Sequence, residues 1–192
     1  KQKTAYEIGV RLVGSEMCIR DRVIGPKSLA LSGRIADGTI LSEYAAPEYI
    51  DWAHERIIRG QREAAHGREH RLTLFAYACA DTSTMAARQR IRPLLAGAMA
   101  SGDIDPKLAA MGILPEVQEY RQAGGQATLE ARMPDSWIDQ MSIAGTAEDW
   151  TLAIERFVKS GIHSIVLVPL PDSDPDEIHL FARHCPKTHS IV

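Results

Sequence analysis

A short run near the start of the chain combines the residue types that hold phosphate groups. Gly25, Pro26, Lys27 and Ser28 open a stretch with helical spacing, and proline suits the first helical turn because its missing N–H is not needed there. The amides of Lys27 and Ser28 then have no acceptor within the helix. Unpaired amides and the helix dipole attract anions. These four residues are predicted to bind a phosphate-bearing ligand; a plain tight turn is the alternative.

Further polar side chains follow two predicted strands. Ser42 and Glu43 come directly after the β-prone run 39–41, and Cys79 lies at the end of the apolar run 72–80. In a (β/α) barrel the active site lies at the carboxyl ends of the strands. Ser42, Glu43 and Cys79 are therefore predicted to line a substrate or cofactor pocket, with ordinary surface or core positions as the alternative. Tyr44 and Asp81 adjoin them.

Other catalytic and metal-binding patterns are weak. Cys79 has no histidine or charged partner beside it, which argues against a nucleophile. His66 and His70 have the spacing of two ligands on one helix, but Gly67 and charged residues lie between them. A solvated helix end explains this pair better, so no metal site is predicted.

Composition narrows the function classes. The formal net charge is −3, and it becomes more negative without residues 1–22, so no basic surface for nucleic acid is indicated. No apolar run reaches membrane-spanning length. The cysteines Cys18, Cys79 and Cys185 follow no disulfide pattern, which favours a reducing, cytoplasmic location. The expected partner is a small-molecule substrate, without nucleic acid or membrane.

Predicted strands and helices alternate along the chain. The strands are a stub at Val23–Ile24 and the runs 39–41, 72–80 and 164–169; the helices cover 26–36, 47–67, 82–102, 146–161 and 174–184. Pro93 is expected to break or kink its helix. Segment 103–145, with short helices predicted at 105–111, 115–123 and 135–142, is interpreted as a helical insertion before the last strand.

Two of the helices carry clear signals of how they pack. In the first, Leu29, Leu31, Ile35 and Ala36 are expected to form the apolar side. In the helix that begins near Thr146, with Asp149 in the capping-box position, the inward residues are expected to be Trp150, Ile154, Phe157 and Val158. Strand–helix alternation implies right-handed βαβ units and a parallel sheet. Because a complete barrel needs about 250 residues, the predicted fold class is α/β, the C-terminal half of a (β/α)₈ TIM barrel.

Residues 1–22 do not look like the sequence of a natural protein. Residues 1–8 back-translate to a sequence that resembles a flow-cell adapter of short-read sequencing, and residues 12–22 to one that resembles a transposase mosaic-end adapter. We expect this segment to be an artefact and residues 23–192 to be the native part. A genuine N-terminal arm is the alternative, and a continuous gene for residues 1–24 would support it.

Three segments carry a family resemblance. Residues 25–38 resemble the G-P-K-x-L-x-L-A-G-x-x-A-D-G segment of luciferase-like oxidoreductases, especially the deazaflavin-dependent methylenetetrahydromethanopterin reductase branch. Residues 145–149 are similar to its G-T-P-E-E helix start, with Ala147 where proline is usual. Residues 161–169 resemble its closing strand, with His163 in place of the acid.

The resemblance implies a TIM-barrel oxidoreductase or monooxygenase that transfers hydride between coenzyme F-420, or FMN, and an organic substrate. It implies that the helix start at Pro26 holds part of the cofactor phosphate, and it is compatible with a homo-oligomeric parent. The catalytic residues are expected upstream, so the chain alone should be inactive and bind cofactor weakly or not at all. Another phosphate-binding barrel, such as an aldolase or isomerase, and a non-catalytic family member are the alternatives.

Overall fold

The computed structural model describes residues 20–22, 24–64, 69–174 and 176–177. Five strands lie in this part: β1 (Arg20–Arg22), β2 (Gly38–Leu41), β3 (Arg71–Ala80), β4 (Ile143–Gly145) and β5 (Ser164–Pro169). Eight helices accompany them: α1 (Pro26–Ile35), α2 (Pro47–Ala64), α3 (Thr84–Ser101), α4 (Asp105–Ala110), α5 (Leu114–Gly124), α6 (Gln126–Arg132), α7 (Asp135–Met141) and α8 (Ala147–Lys159). The strand–helix alternation expected from the sequence is confirmed.

All the described strand pairs are parallel, and β3 is the centre of an open sheet. Strand order is β1-β2-β3-β4, and β5 also pairs with β3. Thr73 of β3 is in register with Ile40 of β2 and with Ser164 of β5. A strand residue pairs with only one neighbour on each side, so β2 and β5 flank β3 on opposite edges. This parallel α/β arrangement confirms the predicted fold class.

Two apolar clusters cover the sheet and its helices. The first joins β3 to α1, α2 and α8 through buried residues that include Leu29, Ile57, Leu74 and Phe157. The second joins the carboxyl end of β3 to helices α3 to α7. Each side chain of this size contributes about 1.5–3 kcal/mol on full burial. In the described part of the chain, no helix is long and apolar enough to cross a membrane.

Several boundaries differ from the sequence-based expectation. The first strand lies at Arg20–Arg22, not at the predicted stub Val23–Ile24, because the chain must leave the sheet before Gly25 to begin α1. Val23 is outside the described residues. A parallel ladder is made by backbone groups, so even residues of the suspected adapter segment can form it.

The segment 103–145 is not wholly helical. Its last three residues form β4, fully buried and paired with Ala78–Ala80 of β3. Helix α6 was also missed, since only Gly125, with φ of 64°, separates it from α5. Three strand residues are too few to show a periodicity, and one glycine with a positive φ is enough to end a helix.

Two predicted helix faces are wrong, and one predicted helix falls outside the described residues. Helix α3 continues through Pro93 without a break. Leu31 (43%), Ile35 (59%) and Val158 (47%) are substantially exposed, so they do not belong to the inward faces assigned to them. They lie beside, and not within, the narrow stripes that contact the sheet. The predicted last helix, 174–184, lies mostly outside the described residues.

Candidate functional site

The predicted site residues lie at one edge of the sheet. Gly25 and Pro26 follow β1, Ser42 and Glu43 follow β2, and Cys79 is the penultimate residue of β3. Since all these strands are parallel, their carboxyl ends point to the same edge. This is the edge where parallel α/β folds bind their ligands. Leu41 is in register with Leu74, so Cys79 lies five residues further along β3 than the end of β2.

The start of α1 presents unpaired backbone donors at this edge. Gly25 is the N-cap residue in an extended conformation, and no side chain caps the helix. The first helical bond runs from the amide of Leu29 to the Gly25 carbonyl, at 3.0 Å. The amides of Lys27 and Ser28 therefore have no acceptor among the described residues, and Pro26 has no N–H. Pro26, Lys27 and Ser28 are exposed, so an anion can approach both amides.

Nothing within the described fold requires a glycine at position 25. Its φ of −86° suits any residue, and a Cβ placed there would meet nothing within 4 Å. In contrast, a Cβ at Gly33 would overlap the Ile57 carbonyl, and one at Gly60 would overlap the Ala30 carbonyl. Those two glycines allow α1 and α2 to cross with their backbones in contact. The open space at Gly25 is a place where a ligand could reach the backbone.

Ser42 is buried at the end of β2 and is engaged by a lysine from α4. Lys107, 1% exposed, donates from its Nζ to the Ser42 carbonyl at 3.0 Å and to the Ser42 Oγ at 2.7 Å. It also donates to the carbonyl of Glu43. The ammonium lies 5.6 Å from the centre of the Tyr49 ring. Sequence reasoning missed Lys107, because a lone lysine in a short helix carries no signal of burial.

Tyr44 follows Glu43 with a positive φ of 64°, which no other non-glycine residue in the described ranges has. Its ring lies 5.2 Å from that of Tyr77 on β3, centre to centre. Burial, together with the neighbouring Tyr77 phenol, raises the pKa of Tyr44 well above its usual range. A hydrogen bond between the two phenols contributes to this rise, so Tyr44 and Tyr77 form a pair.

Cys79 is 1% exposed and belongs to the second apolar cluster. Burial raises the pKa of its thiol to about 11, although the charge of Arg90 acts in the opposite direction. Its carbonyl accepts a hydrogen bond from the Trp150 indole at 3.2 Å. A thiol protonated at neutral pH is a poor nucleophile, so the chemistry of Cys79 suits a wall position better than a reacting one.

An arginine anchors the loop that follows β5. Arg90 of α3 lies 3.3 Å from Glu177 and 3.8 Å from Asp172, and it also donates to Ser173 Oγ at 3.4 Å. This set was not found from the sequence, because its members are some 85 positions apart. It fixes one more strand exit at the same edge of the sheet.

The described residues contain no group of three or more histidine, cysteine, aspartate or glutamate side chains that is placed to hold a metal. Both ring nitrogens of His70 contact protein atoms, with Nδ1 3.1 Å from the Ala36 carbonyl and Nε2 2.8 Å from Thr39 Oγ1. His66 lies outside the described residues. His70 thus connects β2 to the start of β3.

Comparison with known proteins places the chain in a family. It is 28% identical over 151 residues to a 5,10-methylenetetrahydromethanopterin reductase of Methanolobus tindarius, covering 74% of this chain and 45% of that protein. The coenzyme F420 dependent tetrahydromethanopterin reductase from Methanopyrus kandleri has a similar structure, with a TM-score of 0.71 and 23% identity over 90% of this chain and 51% of that one.

An F420-dependent secondary alcohol dehydrogenase, solved with an F420-acetone adduct, is also similar in fold, with a TM-score of 0.64 and 20% identity. The similarity covers 90% of this chain and 49% of the dehydrogenase chain. The chain thus spans about half the length of the relatives it matches. The family model for luciferase-like monooxygenases matches residues 23–164, and the chain therefore belongs to the luciferase-like monooxygenase family.

Proposed function

We propose that this chain is the C-terminal half barrel of an oxidoreductase that transfers hydride between coenzyme F-420, or FMN, and an organic substrate. Family membership supports the reaction class. The observation that carries the proposal is the start of α1, where the amides of Lys27 and Ser28 face the carboxyl edge without acceptors in the described part.

The residues at this helix start fit a cofactor phosphate. Two amides aligned with the positive end of the helix dipole can donate to the same anionic oxygens. Gly25 leaves room for such a group to approach the backbone. The exposed ammonium of Lys27 adds positive charge whose effect is screened by salt. The predicted role of residues 25–28 is therefore to bind and orient phosphate.

The deazaflavin or flavin, when bound, supplies the hydride chemistry. We assign to the described residues the roles of positioning the cofactor and excluding water, and the burial of Ser42 and Cys79 supports this assignment. We place the groups that contact the reacting atoms in the part of the protein upstream of Gly25. Coenzyme F-420 is preferred over FMN because residues 25–38 resemble the reductase branch, to which the 28% identical relative also belongs by name.

Nitrogen–proton correlation NMR of the 192-residue chain tests this proposal, since it detects weak binding at individual amides. Titration with F-420 or FMN is expected to shift the Lys27 and Ser28 resonances first. Gly25→Ala should reduce the response by blocking approach, and Lys27→Gln should reduce it mainly at low salt. Lys159→Gln is the matched control, since Lys159 is an exposed lysine in the last turn of α8.

The alternatives give different results. An aldolase-like or isomerase-like site would respond as strongly to a small sugar phosphate as to either cofactor. A non-catalytic family member would show no response at Lys27 and Ser28. Either result, or a response unaffected by Gly25→Ala, would contradict the proposal.

A further inference from the structure

Lys107 connects the helical segment between β3 and β4 to the loop that follows β2. Its ammonium is buried and donates to two consecutive backbone carbonyls, those of Ser42 and Glu43, and to the Ser42 hydroxyl. Hydrogen bonds from a charged donor are stronger than neutral ones, and more so at a buried site. Three acceptors within two residues fix both peptide planes at the exit of β2.

The residue that follows this fixed pair is under conformational strain. Tyr44 has φ of 64°, a left-handed conformation that is unfavourable for a residue with a side chain. Such a conformation persists only where its surroundings impose it. On one side Lys107 holds the carbonyl of Glu43, and on the other the ring of Tyr44 contacts Tyr77. The lysine and the aromatic contact together determine where the Tyr44 phenol lies.

An arginine of α5 also fixes the position of helix α4. Arg121 of α5 forms an ion pair with Asp105 at the start of α4 and donates to the Met99 carbonyl of α3 at 2.7 Å. The position of Lys107 is therefore set by the packing of the helical segment, which lies apart in sequence from β2. The hydrogen bond from Lys107 to the Ser42 carbonyl joins positions 65 residues apart in the sequence.

We propose that Lys107 is a positioning residue: through the carbonyls of Ser42 and Glu43 it places Tyr44 at the ligand-binding edge of the sheet. The consequence for ligand binding rests on the proposed function; the placement of Tyr44 does not. The helical segment between β3 and β4 thus acts on the edge through one buried ammonium. The phenol of Tyr44 is hydrogen-bonded to that of Tyr77, so a polar group of the cofactor or substrate would meet the two hydroxyls as a pair.

Fluorine NMR of the full chain, labelled with 3-fluorotyrosine, measures the placement directly. Tyr44→Phe assigns the Tyr44 resonance, and Tyr120→Phe assigns a reference outside the β2 loop. Lys107→Met is expected to move the Tyr44 resonance towards its position in the unfolded chain while that of Tyr120 stays in place. Ser42→Ala, which removes one of the three acceptors, should give a smaller shift in the same direction. Lys159→Met is the control lysine and should change neither.

If Lys107 only stabilises the fold and does not place Tyr44, a different result is expected. If both Lys107→Met and Ser42→Ala leave the Tyr44 resonance unchanged, the proposal is wrong, even if stability falls. If Lys107→Met unfolds the chain, Lys107→Gln decides, because its shorter, neutral side chain loses the charged donor to the carbonyls of Ser42 and Glu43, and an unchanged Tyr44 resonance then overturns the proposal. If Tyr44 moves but no cofactor shifts the amides of Lys27 and Ser28, the proposed function fails while the placement stands.

Discussion

Gly33 of α1 lies so close to the Ile57 carbonyl of α2 that no side chain fits between the two helices. Gly60 makes the reciprocal approach to the Ala30 carbonyl. The glycine that ends the G-P-K-x-L-x-L-A-G resemblance, Gly33, therefore serves helix packing. At Gly25, which begins it, an added Cβ would meet nothing within 4 Å, so packing does not explain that glycine. Two glycines of one motif thus have different physical roles.

Gly33→Ala is expected to destabilise the fold by about 1–3 kcal/mol, because backbone cannot move aside as a flexible side chain can. Gly97→Ala is the control: it lies inside helix α3, and its Cβ would make an ordinary contact of 3.7 Å with Gln126. It should stabilise by about 0.5–1 kcal/mol. Urea unfolding measures the change in the free energy of unfolding for each variant. Equal changes in the two variants would contradict this account of Gly33.

The stability of the N-terminus of helix α8 is expected to depend on pH through Asp149. Burial alone would raise the pKa of this carboxyl, but hydrogen bonds from Thr84 and Thr146 outweigh that effect and lower the pKa below its usual value. The carboxylate accepts from Thr84 Oγ1 at 2.6 Å and from the Thr146 amide at 2.8 Å. A lowered folded-state pKa contributes stability that is present above the ordinary carboxyl range and is lost as pH falls.

Asp149→Asn should therefore destabilise the chain at neutral pH, and the difference from the unmodified chain should shrink as the pH falls below about 4. Urea unfolding at a series of pH values measures that difference. Glu148→Gln is the control, since Glu148 is an exposed acid in the same helical turn. A difference that is independent of pH would show that the carboxylate charge is not what stabilises the helix start.

Cys79 should resist alkylation in the folded chain. With the thiol pKa raised to about 11, roughly one thiol in a thousand is ionised at pH 8, and burial restricts access further. Labelling with iodoacetamide followed by peptide mass spectrometry should find Cys79 modified only after unfolding in urea. Rapid modification of Cys79 under native conditions would contradict both the burial and the direction of the pKa shift.

Arg90→Met should loosen the loop after β5, because Arg90 contacts Asp172, Ser173 and Glu177 there. Limited proteolysis is expected to cut this loop faster in the variant. Arg88→Met is a matched control in the same helix, since Arg88 is similarly exposed and pairs with Asp139 at 2.7 Å instead. Equal cleavage of the loop in both variants would contradict the anchoring role of Arg90.

The features predicted from sequence are those encoded within a few neighbouring residues. The capping box of α8 is confirmed, with Thr146 and Asp149 bonded reciprocally, because its four residues carry the whole signal. The apolar run of β3 is likewise confirmed. In contrast, the strand at Ile143–Gly145 is defined by its pairing with β3 and not by its own pattern.

The same distinction between local and long-range features applies to the candidate site. The helix start at Pro26 was predicted because proline, glycine and the following amides are adjacent in sequence. Lys107 was not, since its acceptors are 65 residues away and its burial depends on how the whole helical segment packs. Tyr44 was placed at the correct strand exit, but its left-handed backbone results from tertiary contacts that its neighbours in sequence do not reveal.

The position of β3 at the centre of the sheet has a consequence for synthesis on the ribosome. Its partner β5 begins 91 residues later, with Thr73 opposite Ser164. Until Pro169 has emerged, one edge of an apolar ten-residue strand stays unpaired, and exposed strand edges promote association between nascent chains. Such long-range pairing also folds slowly, so the interval before β5 arrives is when this chain most needs a chaperone.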